Sequence, residues 1–196
     1  MSTRRNDSGF RTAAAPHPQR LLAIYLNDHL AGASSGVALI RRMARTHRGR
    51  ASGPVLAELA GQIAADRESL REFLTALDVP AQWPRVVVGR LAEKTGRIKL
   101  NGRLVRRSPL SDVLELEVMR LGVEGKASLW RSLRTVAETD PRLDGAALDR
   151  LLDRARRQAD VLEELRVRAA RRAFAPDAAP GTGPGTAGAG TAVTHG

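Results

Sequence analysis

The chain has 196 residues, a formal net charge of +11 and no cysteine. That length allows one domain with a sizeable core, and the lack of cysteine excludes disulfides, zinc–thiolate sites and thiol catalysis. No apolar run reaches the roughly 18 residues of a membrane span, and the opening MSTRRNDSGFRTAAAPHP lacks the apolar stretch of a signal peptide, so no membrane association and a cytoplasmic location are expected. With aromatic residues at 3%, the core must be built from Leu, Ala, Val and Ile. The positive charge is almost all arginine, the only lysines being Lys94, Lys99 and Lys126. Heavy Arg and Ala usage is also what GC-rich coding produces, so the basic balance is a weak pointer to anionic partners.

Residues 1–16 are polar and without periodicity, and read as a disordered N-terminal arm. A first helix, about 18–47, opens on Pro18, whose missing N–H costs nothing in a first turn. Its stripe is Leu22, Leu26, His29, Ala33, Gly36, Ile40 and Ala44, widened by Leu30, Val37 and Met43. Gly32 and Gly36 form a small-residue patch that reads as the close approach of another backbone. After a short break near residue 50, a second helix spans about 54–77 with the stripe Leu56, Leu59, Ile63, Asp66, Leu70, Phe73 or Leu74, and Leu77. Such a short loop predicts an antiparallel hairpin.

Residues 78–108 form a long crossover with a helix expected at about 85–98, because a structureless loop of that length is rare in a compact domain. A 24-residue helix spans about 36 Å, and a connection this long can cross the bundle and make the third helix parallel to the second. That third helix, about 109–137, starts at Ser108-Pro109. Its stripe is read as Leu110, Leu114, Glu117, Leu121, Glu124 or Gly125, Ala127 or Ser128, Ser132 and Val136, with Gly122 and Gly125 as a second small patch. Asp144 caps a fourth helix, about 145–174, with the stripe Leu148, Leu151 or Leu152, Ala155, Gln158, Leu162, Leu165 and Ala169. Residues 175–196, rich in Gly, Ala, Pro and Thr, read as a flexible tail.

Each helix thus carries one polar residue in its apolar stripe: His29, Asp66, Glu117 and Gln158. Counted from residue 50, His29 lies 21 residues before and Asp66 16 after; counted from residue 140, Glu117 lies 23 before and Gln158 18 after. Two hairpins with nearly matching polar heights predict one polar layer at mid-bundle. A hydrogen-bonded network satisfies such a layer without any ion. Two carboxylates and an imidazole, Asp66, Glu117 and His29, also make a ligand set for one iron, manganese or zinc ion, with Tyr25, Asp28 and Gln158 as supporting partners. Trp83 and Trp130 read as packing.

Two antiparallel hairpins joined by a long crossover, with inward His, Asp and Glu, resemble the ferritin-like superfamily. The stretches YLNDHLAG (Tyr25–Gly32) and EKTGRIKLNGRLVRRSPLSDVLELE (Glu93–Glu117) are similar to an uncharacterised branch of bacterial ferritin-like proteins. The resemblance covers about residues 18–174 and implies an all-α, ferritin-like four-helix bundle. It departs from the di-iron pattern of a Glu on each of two helices and Glu-x-x-His on each of the other two. Only Glu117 matches; the second helix offers Asp66-x-x-Ser69 and the fourth Gln158-x-x-Val161.

Between residues 84 and 107 eight basic residues face only Glu93. Arg97, Lys99, Arg103, Arg106 and Arg107 are the candidate contacts to a polyanion. No helix-turn-helix spacing, stacking aromatic pair or phosphate-binding glycine loop accompanies them. Three functions follow as expectations. The first is a non-enzymatic scaffold or interaction protein with a buried polar layer. The second is a metal-binding protein with an oxidative or storage role. The third is a non-specific nucleic-acid binder whose affinity falls steeply with salt. A homo-oligomer is the partner that needs no second protein.

Overall fold

The computed structural model describes residues 17–81 and 108–175. They form four helices and, among the described residues, no strand: α1 Pro18–Thr46, α2 Gly53–Ala76, α3 Pro109–Val136 and α4 Gly145–Phe174. The expected crossover helix, Trp83, the basic residues Arg97, Lys99, Arg103, Arg106 and Arg107, and both chain ends lie outside the described residues. Among the described residues no helix is long and apolar enough to cross a membrane.

Local chemistry sets the helix ends. Proline occupies the first turn of α1, α2 and α3. The Asp144 carboxylate accepts from Ala146 N (2.9 Å) and Ala147 N (3.1 Å), satisfying two orphan donors of α4. At the end of α2, Asp78 takes a left-handed φ of 55°. Asp78 N–H then donates to Thr75 O (3.1 Å) and Val79 N–H to Leu74 O (2.9 Å), the paired bonds of a Schellman cap. Asn27, buried on α1, donates to Pro80 O at 3.2 Å and ties the chain leaving α2 to the first helix.

Contacts along the helices give their directions. Tyr25 meets Ser132, Arg42 meets Glu115 and His47 meets Asp112, so α1 and α3 are antiparallel neighbours. Arg134 meets Asp149, Arg120 meets Glu163 and Arg166 meets Glu117, so α3 and α4 are antiparallel. With α1 and α2 joined by a short turn, α3 runs parallel to α2, the direction a long crossover allows. The backbones pack closely between α1 and α2, α3 and α4, and α1 and α3. Helix α2 stands farther from α3 and α4 and meets them through side chains, Phe73 against Trp130, Gln62 to Gln158 and Asp66 to Arg154 and Lys126.

The core differs from expectation along α3. Leu110 and Leu121 are exposed (46% and 70%), and the buried stripe is Val113, Leu116, Met119, Val123, Ala127, Trp130 and Leu133. The reason is continuity. The Leu110-Leu114-Glu117-Leu121 line is apolar only at its start and then meets Gly125, Ser128 and Ser132. The face roughly 100° away is apolar for the whole helix. Leu116, not Glu117, therefore faces inward.

The glycines also depart from expectation. A methyl group at Gly32 or Gly125 would meet nothing within 4 Å, and at Gly36 or Gly122 only the Met119 side chain, at 3.4 and 3.8 Å. These positions leave space open rather than admitting a neighbouring backbone. The tight glycine is Gly53, where a Cβ would lie 2.5 Å from His47 O. Two opposite outcomes are expected in urea unfolding. Gly53→Ala destabilises by about 1–3 kcal/mol through overpacking, whereas Gly125→Ala stabilises by up to about 1 kcal/mol through helix propensity.

Candidate functional site: a cation-held carboxylate beside a cavity

The site is built around Asp66, in the fourth turn of α2, on its core face between Ile63 and Leu70. Its side chain is 1% exposed. A buried carboxylate needs cations or donors around it. Lys126 Nζ of α3 donates to Oδ2, and Gln158 Nε2 of α4 donates to the same oxygen at 3.1 Å. The Arg154 guanidinium of α4 is ion-paired with Oδ1. Lys126 also donates to Gln158 Oε1 at 2.5 Å, and Gln158 Nε2 donates to Gln62 Oε1 at 3.1 Å. Three helices are pinned through one carboxylate.

Lys126 is itself largely buried, with 14% of its side chain exposed. Burial is the largest influence on its ammonium and pulls the pKa below its usual value; the charge of Asp66 and the hydrogen bond to it work in the other direction. Arg154 is 32% exposed and keeps part of its hydration.

Against this network lies a cavity of about 720 Å³, lined by side chains of α1, α2 and α3. Its wall includes Ile63, Leu70, Met119, Val123, Leu129 and Trp130, and the open positions Gly32, Gly36, Gly122 and Gly125. Asp66, Lys126, His29, Tyr25, Asp28 and Arg67 supply its polar groups. The size is that of small-molecule sites. His29 packs edge-on against Tyr25, ring centroids 4.5 Å apart, and the Tyr25 hydroxyl lies 3.3 Å from Ser132 Oγ.

The expected site residues divide. Asp66 and Gln158 meet directly; His29, Tyr25 and Asp28 share the cavity with Asp66. Glu117 joins none of them. It lies beside Arg166 at 3.6 Å, its side chain 45% exposed, in a separate groove with Arg120, Leu121 and Glu163. Nine residues separate it from Lys126, about 13 Å along the helix, because the pairing of α3 with α4 sets Lys126, not Glu117, opposite Gln158. Counting from the loops overestimated how closely the two hairpins match. Sequence reasoning also missed Lys126, Arg154 and Gln62. The signal for Lys126 is its place three residues after Val123 and four before Trp130, at the flank of the true α3 stripe. Among the described residues no three His, Asp or Glu side chains are grouped to hold a metal ion.

No protein-family model, curated protein or solved structure matches the chain.

His29 gives the site a pH signature. Burial, the larger influence, holds its imidazole below the ordinary pKa of 6.5, and the neighbouring Asp28 charge works against that shift. The unfolded chain therefore binds this proton more readily. The contribution of His29 to stability is complete above pH 6.5 and is lost as pH falls through the lowered folded value. Urea midpoints measured from about pH 7 down to about pH 5 are expected to fall more steeply for the wild type than for His29→Phe, which keeps a ring against Tyr25.

Proposed function

We propose that this chain is a ferritin-like four-helix bundle without a catalytic centre, acting as a scaffold or interaction protein whose mid-bundle layer is a cation–carboxylate network. The observation that carries this reading is the pairing of Asp66 with both Lys126 and Arg154. Two antiparallel hairpins with α2 parallel to α3 support the ferritin-like frame, since that direction requires a connection running the length of the bundle.

The donor set does not fit the metal that such a frame implies. A metal ion is held by deprotonated, electron-rich ligands. Here the central carboxylate is already neutralised by an ammonium and a guanidinium. Glu117 lies in another groove, and of the anticipated ligands only His29 and Asp66 share the cavity. The Lys126 ammonium stands where a cation would, carrying the positive charge on the chain itself. No electron transfer or oxygen chemistry follows from such a layer.

Elemental analysis of protein purified without tag or chelator tests this. Iron, manganese and zinc are expected far below one equivalent, in the wild type and in Glu117→Ala alike. Near-stoichiometric metal that disappears in Asp66→Asn would overturn the reading in favour of a metalloprotein.

A further inference from the structure

We propose that one end of the bundle docks on an anionic lipid surface, with Arg45, Arg48, Arg171 and Arg172 on the headgroups and Leu110 and Phe174 entering the layer beneath them. This is attachment at a surface rather than a span. It departs from the expectation of no membrane association, which rested on the lack of a spanning segment. It names a partner for the interaction role above and uses no part of the mid-bundle network.

Register defines this end. Tyr25 with Ser132, Arg42 with Glu115 and His47 with Asp112 set α1 against α3. Arg134 with Asp149, Arg120 with Glu163 and Arg166 with Glu117 set α3 against α4. Each step along one helix is matched by a step back along its neighbour. Carried to the helix ends, that register puts His47, Leu110 and Phe174 at one level, within a turn of each other, about 5 Å. Helix α2 starts here too, after the short turn from α1.

The first observation is an uneven charge. In residues 38–58, 108–116 and 165–175, which make up this end, nine arginines meet three carboxylates, a net +6. The other described residues carry twelve basic and fifteen acidic groups, a net −3. Two of the three carboxylates are already ion-paired, Asp112 with His47 and Arg50 and Glu115 with Arg42. Arg45, Arg48, Arg171 and Arg172 are exposed, and their guanidinium groups have no partner among the described residues. Their fields add at one end of the molecule.

The second observation is apolar. Phe174 is 66% exposed and Leu110 46%. Exposed apolar side chains scattered singly are ordinary. These two stand at one height on neighbouring helices, and Arg171 and Arg172 lie just before Phe174. The combination selects the occupant. Duplex nucleic acid is held by charge and gains nothing from a leucine and a phenylalanine. A second copy would bring the same positive charge to the contact. An anionic lipid surface uses both features, and stable attachment to one takes two such signals.

Flotation of the full chain with vesicles tests this, using phosphatidylcholine alone and phosphatidylcholine mixed with phosphatidylserine. The chain is expected to float with the mixed vesicles, to stay behind with phosphatidylcholine alone, and to bind less as salt rises. Arg45→Gln with Arg48→Gln, and Arg171→Gln with Arg172→Gln, should each weaken binding by about ten-fold or more, since one arginine near such a surface counts for about five-fold. Leu110→Ser with Phe174→Ser should weaken it several-fold. Arg20→Gln with Arg131→Gln removes the same charge at the opposite end and should bind as the wild type does. All of these side chains are exposed, and circular dichroism and urea midpoints check that each variant keeps its helices. The proposal is overturned if the mixed vesicles are not bound, if phosphatidylcholine alone is bound as well, or if the two arginine pairs cost no more than the control. It is also overturned if the Leu110 and Phe174 changes are silent, the result that a surface for duplex nucleic acid would give. None of these outcomes bears on the metal content, so the scaffold reading stands or falls separately.

Discussion

Burying the carboxylate of Asp66 at the centre of a helical protein is the constraint from which the rest of the site follows. An unpaired charge there would cost several kcal/mol. Neighbouring helices must bring positive charge to it, and they do so from two sides: Lys126 from α3, Arg154 and Gln158 from α4. Those side chains are long. They span a gap that α2 leaves by standing away from α3 and α4, and this spacing allows a cavity to persist beside the network. A metal ion would contract such a layer onto short ligands; an ammonium on a four-carbon stem holds it open. The pins also fix register, since Asp66 meets Lys126 and Arg154 only at one axial setting of three helices. Buried ion pairs are weak evidence for stability but are well suited to specifying one arrangement.

The four helices were legible in the sequence. Strong starts (Pro18, Pro54, Ser108-Pro109, Asp144) and long apolar stripes placed the ends of all four within a residue, because capping chemistry is local. The length of the connection allowed α3 to run parallel to α2 but left an up-down arrangement equally open; contacts between side chains decide it. Half of the polar layer was also readable: Asp66 and Gln158 sit in stripes whose apolar neighbours leave no alternative face.

What was not legible traces to α3. That helix carries leucines on more than one face, so the line through Glu117 competes with the one through Leu116, and only packing against α1 and α4 decides between them. Once the face is misread by one residue, Glu117 looks inward and Lys126 looks like solvent-exposed charge. The glycines show a similar limit. Gly32 and Gly125 stand in the pattern that a close helix contact produces, yet they border open space. A sequence records the absence of a side chain but not what occupies the room it leaves.

Asp66 and Lys126 meet across the core as an energetically coupled pair. A double-mutant cycle with Asp66→Asn, Lys126→Met and the pair, read by urea unfolding, measures that coupling directly. Lys126→Met alone should cost about 1–3 kcal/mol, because it strips the hydrogen-bonded cation from Oδ2 and leaves Arg154 as the carboxylate's one ion-pair partner. The double variant should cost clearly less than the sum of the two single ones, by more than about 1 kcal/mol. Additive costs, or a Lys126→Met variant as stable as the wild type, would contradict the account and make the network an incidental contact.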